Sequence, residues 1–172
     1  MTNLRQLLVL TVFIPLISSP AALADDLPTP GDRVILTVSG KLGVTNTEEG
    51  TAAFDLAMLD ALPQASFETA TIWTDGVARF SGVELSALLE AVAAEGTELL
   101  MTALNDYAIE LPASEAIPGG PILATRVDGN PLSVRDKGPI WLIYPFDDNP
   151  SYKTEVTYSR SIWQLKSIKV ED

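Results

Sequence analysis

The chain has 172 residues and contains neither cysteine nor histidine. Without thiolate or imidazole it lacks the usual ligands of zinc, copper, haem and iron-sulfur centres. The same absences remove the cysteine nucleophile and the histidine general base, so catalysis would fall to carboxylates, Lys, Tyr, Ser or Thr. No disulfide can form, and stability must come from apolar burial. The G-x-S-x-G, P-loop and G-x-G-x-x-G spacings are missing as well. Basic residues are few, 11 Lys and Arg against 23 Asp and Glu, for a formal charge of −12. That balance opposes binding to nucleic acid or to anionic membranes, and it suits the solubility of an exported domain. So many carboxylates form chance pairs, which leaves a hydrolytic carboxylate pair without specific support. Asp147-Asp148-Asn149 offers oxygen ligands, but it does not match the twelve-residue calcium loop and has ordinary turn composition.

Residues 1–24 have the organisation of a secretory signal peptide. Arg5 precedes an apolar run from Leu7 to Ile17, broken only by Thr11 and Pro15, and Ala22-Leu23-Ala24 supplies a small-residue cleavage site. The run is shorter than the roughly 20 residues a permanent span needs. The mature chain is expected to begin at Asp25 and to be exported to the periplasm. Arg5 is the leader's one charge, so its removal turns −12 into −13. Residues 25–172 are enough for one domain with a single core.

Arg33–Ser39 is β-branched and apolar and ends at Gly40, which predicts a strand and turn. Phe54, Met58, Leu59 and Leu62 recur at helical spacing before Pro63. Ser66–Trp73 reads as a strand. In Glu84–Ala94, Leu85, Leu88, Leu89 and Val92 make one apolar stripe, with Gly96 expected as a left-handed cap. Further strands are predicted at Glu98–Ala103, Tyr107–Leu111, Ile122–Arg126, Ile140–Tyr144 and Ile162–Val170, separated by Pro and Gly. Many short strands and two or three short helices predict an α+β domain with a mixed sheet or partial barrel.

Several short motifs follow one another in order at the strand ends. They are Phe80-x-Gly82-Val83-x-Leu85, Asn105-Asp106-Tyr107, Leu123-Ala124 with Asp128-Gly129 and Pro131-Leu132, Asp136-Lys137-Gly138-Pro139, and Arg160-Ser161-Ile162. Together they resemble the molybdopterin-binding domain of sulfite-oxidase-type enzymes. That family shows Trp-x-Gly-Val-Pro-Leu, Asp-Gly-Tyr, Leu-Ala, Asn-Gly, Pro-Leu, Asp-His-Gly-x-Pro and Arg-Ser-Val-Lys-Trp at these points. The resemblance runs in patches from about Phe54 to Val170 and is most specific after Ala103; it implies the sulfite-oxidase-like fold.

The departures from that family form a pattern of their own. Its metal-ligating cysteine would fall within Glu68–Thr74, where Thr69, Thr71 and Thr74 are poor substitutes. Its His is Lys137, the Arg of its Pro-x-Arg is Trp141, and the Lys of its closing motif is Trp163. Two cationic positions suited to a phosphate tail are thus indoles, which stack on flat heteroaromatic rings. A carboxylate could read the guanine-like edge of a pterin, with Asp106, Asp128 and Asp136 as candidates, and Arg126, Arg135 or Arg160 could donate to its carbonyl and ring nitrogens.

The expectation is therefore a pterin, dihydro or tetrahydro, held as a ligand and not as a catalytic cofactor. Trp163, Arg160 and Asp106 are the foremost candidates, joined by Asn105, Tyr107, Arg126, Arg135, Asp136, Trp141, Ser161 and Trp73. The bland alternatives are core places for Trp141 and Trp163, a simple turn at Asp106-Tyr107 and surface ion pairs for the arginines. The resemblance to a cysteine-less, exported branch implies a partner: the periplasmic domain of a membrane diguanylate cyclase or phosphodiesterase that controls cyclic-di-GMP. Two rival readings are a molybdopterin-dependent oxidoreductase with non-cysteine metal ligation and an interaction module without a small ligand.

Overall fold

The computed structural model describes residues 27–172; the expected signal peptide and the start at Asp25 lie outside the described residues. Ten strands, β1 (Leu36–Gly40), β2 (Ala52–Phe54), β3 (Gln64–Ala70), β4 (Val77–Glu84), β5 (Glu98–Ala103), β6 (Ala108–Pro112), β7 (Ile122–Val127), β8 (Asn130–Pro131), β9 (Trp141–Ile143) and β10 (Leu165–Glu171), alternate with three short helices, α1 (Leu56–Ala61), α2 (Leu85–Ala91) and α3 (Glu155–Arg160). The strands divide between two sheets. One runs β2-β1-β10-β5-β6 and the other β3-β4-β7-β8, with β9 also on β7. The first is mixed, because β1 and β10 are parallel while the other pairs are antiparallel. This is the α+β class expected, with a mixed sheet and three short helices.

One hydrophobic core joins the two sheets. It takes Leu36, Val38, Leu99, Met101, Ile168 and Val170 from the first, and Phe80, Val83, Leu123, Leu142 and Ile143 from the second. Leu85, Leu88 and Val92 are fully buried, as the stripe predicted, while Leu89 is half-buried. The left-handed position after α2 falls on Ala93 (φ 46), not on Gly96. The helix-end carbonyls of Val92 and Ala93 accept from the Gly43 amide at 3.1 and 2.9 Å, which fixes the turn one residue past Val92. Gly96 answers a different need: a Cβ there would lie 2.2 Å from the Glu171 carbonyl oxygen.

Strand β4 is not among the expected strands, because Arg79, Ser81 and Gly82 dilute its β character. Its burial nonetheless alternates from Val77 to Phe80. At Gly82 the register with β7 shifts, and a Cβ would sit 2.0 Å from the Leu123 carbonyl oxygen. Only glycine allows the two backbones to approach so closely.

Asp55 caps α1 and ties down the chain ahead of β1. Its buried carboxylate accepts from the amides of Met58 (2.8 Å), Gly31 (2.8 Å) and Asp32 (3.0 Å). The Met58 amide, with those of Asp32 and Gly31, holds this acid below its ordinary 3.8 against the opposing effect of burial. A lowered folded-state pKa stabilises the fold above the unfolded value, and the contribution is lost as pH falls through the folded one. Asp55→Asn should therefore be less stable than the natural protein near neutrality. The gap, read from denaturant unfolding at a series of pH values, should close below pH 3.8. A gap that stays constant into acid would show that the charge contributes nothing.

Among the described residues no helix is long and apolar enough to cross a membrane.

Candidate ligand-binding cleft

Two runs that look like strands are shorter than they read, and each leaves an indole just beyond its strand. Strand β3 ends at Ala70 because Thr71 and Thr74 close a turn. Their hydroxyls lie 3.0 Å apart, the Thr71 amide donates to Thr74 Oγ1 at 3.1 Å, and the Trp73 amide donates to Thr71 Oγ1 at 3.0 Å. Strand β10 starts only at Leu165. Before it, Gln164 takes a positive φ of 54, and its amide donates to the Lys137 carbonyl at 2.9 Å instead of joining the ladder. Trp73 and Trp163 thus stand at the ends of different sheets and meet, ring centroids 5.7 Å apart and nearly perpendicular.

Around them opens a cleft of about 460 Å³ lined by Ile72, Trp73, Ala103, Asn105, Tyr107, Tyr158, Ser159, Ser161, Ile162 and Trp163. Four of these ten side chains are aromatic and none is charged. Tyr158 stands edge-on to Trp73 at 5.8 Å and stacks obliquely on Phe146 at 4.8 Å. Trp163 remains 38% exposed, and Tyr107 and Ile72 are exposed at the mouth. Asn105 accepts from the Tyr107 amide at 3.2 Å, which leaves its own N–H groups for a ligand. Ser159 and Ser161 donate to the carbonyls of Val156 (2.7 Å) and Thr157 (3.0 Å), so their oxygens keep only acceptor capacity.

Of the residues singled out by sequence, Trp163, Trp73, Asn105, Tyr107 and Ser161 line this cleft. The others do not. Trp141 is 2% exposed and forms the cleft's backing: its indole N–H donates to the Ser161 carbonyl at 3.2 Å, and its ring meets Trp73 at 5.8 Å and Phe80 at 5.4 Å. Asp106 stays outside the lining. It occupies a left-handed turn position (φ 65) beside the cleft, its side chain 84% exposed and paired with Lys166, whose ammonium holds the carboxyl below its ordinary range. Arg160 turns away to Glu115.

Arg126 lies on the second sheet and grips Asp60 through two bonds of 2.7 Å, an arrangement that raises the guanidinium's already high pKa. Arg135 and Asp136 sit exposed on the short 3-10 turn Val134–Asp136, where Asp136 accepts from Ser133 at 2.6 Å. Asp128 accepts from the Arg79 amide at 2.9 Å, away from the cleft. Excess acid on this chain explains the pattern, since most candidate cations find carboxylate partners before they reach a ligand. Lys137 is placed differently, its ammonium 5.4 Å from the Trp141 ring centre and 6.0 Å from that of Trp163.

Sequence reasoning missed Ile72, Ala103, Tyr158, Ser159 and Ile162. Tyr158 and Ser159 lie on α3, a six-residue helix of Glu, Val, Thr, Tyr, Ser and Arg with no apolar stripe to reveal it. Its one legible signal is Thr154, whose hydroxyl caps the Thr157 amide at 3.1 Å.

The residues do not fit a thiolate-held molybdenum cofactor. In Glu68–Thr74, Thr69 accepts from the Asp147 amide at 3.1 Å, and Thr71 and Thr74 bond each other, so their hydroxyls are occupied locally. Among the described residues no group of three or more Asp or Glu side chains is arranged to hold a metal ion. The cleft lining also holds no cation to pair with a phosphate tail.

No family model matches the chain, and no curated protein matches it. Among solved structures, it is similar to the sulfane dehydrogenase SoxCD from Paracoccus pantotrophus, with a TM-score of 0.58 and 15% identity over 80% of this chain and 38% of that one. The chain thus spans well under half the length of that neighbour. At this identity the likeness shows the fold alone, in agreement with the α+β, sulfite-oxidase-like architecture expected.

Proposed function

We propose that this chain, a sulfite-oxidase-like fold with no cysteine thiolate to hold a metal, is a non-catalytic binding protein for a flat, uncharged heteroaromatic ring of the pterin class. The observation that carries this reading is the cleft lining, four aromatic and no charged side chains. A bare bicyclic ring can stack on the exposed indole of Trp163, whereas a phosphorylated cofactor would bring uncompensated charge into an apolar site. The polar complement also suits such a ring. Acceptor oxygens on Ser159 and Ser161 can take ring N–H and amino groups, while the Asn105 amide N–H and the Tyr107 and Tyr158 hydroxyls can serve the carbonyl.

Relay of ligand state to the periplasmic domain of a membrane cyclase or phosphodiesterase acting on cyclic-di-GMP extends this proposal; its support is the family resemblance and the secretory leader. Titration of the purified protein with 7,8-dihydropterin or tetrahydropterin under reducing conditions should give saturable one-to-one heat and quenching of tryptophan fluorescence. Absence of both signals would remove the reading.

A further inference from the structure

We propose that Glu115 is a positioning residue which, through Arg160 and Tyr144, sets the α3 wall of the cleft; the inference rests on the pterin reading and specifies how that site is held. Glu115 ends the short 3-10 turn Ala113–Glu115 that follows β6. One of its carboxylate oxygens accepts from the Tyr144 hydroxyl at 2.9 Å, and the other accepts from the Arg160 guanidinium. A single carboxylate therefore joins the chain just after β9, where Tyr144 is fully buried, to the last residue of α3. Tyr152 closes over Tyr144 with ring centres 5.2 Å apart.

What α3 carries makes this joint consequential. Tyr158 and Ser159 lie on it, and Ser161, Ile162 and Trp163 follow directly after Arg160, so five of the ten lining residues hang on this short segment. Six residues that include Val, Thr, Tyr and Ser do not make a stable helix alone, because nucleation is costly and propensities here are poor. Tertiary anchors must supply the order. The Glu115 and Arg160 side chains are only 28% and 25% exposed, so removing one strands the other in a partly desolvated place. Arg160 therefore acts on the ligand through the wall it fixes, and Glu115 fixes Arg160.

Glu115→Gln keeps one acceptor oxygen but turns an amide N–H against the other donor, and Arg160→Met removes the cation. Each should raise the Kd for 7,8-dihydropterin about tenfold, while Arg160→Lys stays within about threefold of the natural protein. The charge swap Glu115→Arg with Arg160→Glu should recover part of the loss. Amide hydrogen exchange in residues 155–160 should accelerate in Glu115→Gln, with exchange in the sheets unchanged.

Affinities within about twofold of the natural protein, or unchanged exchange in α3, would overturn the proposal. Lost affinity with unchanged exchange would mean instead that these side chains touch the ligand directly. Should the natural protein bind no dihydropterin, the pterin reading fails, and the exchange comparison still decides whether Glu115 holds α3.

Discussion

Replacing Trp163 by alanine should weaken binding of 7,8-dihydropterin by roughly 5- to 150-fold, the equivalent of about 1–3 kcal/mol for one aromatic stacking platform. The reason is geometric. Trp163 keeps 38% of its surface exposed, where Trp73 is half-buried, and its ring meets Trp73 at 5.7 Å and Trp141 at 6.3 Å, both nearly perpendicular. A platform fixed in this way costs little ordering when a ring lands on it. Because much of the side chain already meets solvent, its removal should lower stability only modestly. Trp163→Phe should fall between the two, with a smaller face in the same place. The measurement is a fluorescence or calorimetric titration beside a thermal melt of each variant. An alanine variant that binds as tightly as the natural protein would mean that the ring sits elsewhere.

Trp141→Ala should have the opposite profile, a loss of about 3–5 kcal/mol of folding stability and a fall in melting temperature on the order of 10 °C. Trp141 is nearly fully buried, packs between Phe80 of β4 and Trp73 of the cleft, and bonds the Ser161 carbonyl. Its removal opens a large cavity behind the cleft and leaves that carbonyl without its donor. Binding should decline only because the backing of Trp73 and Trp163 gives way. Trp141→Phe should recover most of the packing but not the hydrogen bond. Equilibrium denaturation checks the claim. A melt within a degree or two of the natural protein would place this indole outside the cohesive core.

The contrast between these two indoles shows where sequence reasoning reached and where it stopped. Both stand where the resembling family has a cation, both lie in apolar runs, and nothing in either run says which one faces a cavity. The difference arises at Gln164, whose left-handed backbone breaks the chain before β10, so that Trp163 pairs only through an isolated bridge to Trp141, whereas Trp141 lies within β9 and is paired on β7 as well. Asp106 stays out of the cleft lining for a similar reason. A turn residue three positions past a strand was legible, but its capture by Lys166, distant in the chain and adjacent in space, was not. Arg126 and Arg160 likewise met Asp60 and Glu115, partners separated from them by 66 and 45 residues.

Composition and local order alone determined that no thiolate or imidazole is present, that carboxylates outnumber cations about two to one, and that short strands and helices of an α+β domain alternate with Pro and Gly turns. Those are properties of side-chain chemistry and of the two- and four-residue periods along one chain. Which aromatic rings gather into a neutral cleft, which acids are already spent on cations, and which helix wall depends on one glutamate were decided only when the two sheets folded together. Each depends on contacts between residues tens of positions apart, and no local pattern encodes a distance across space.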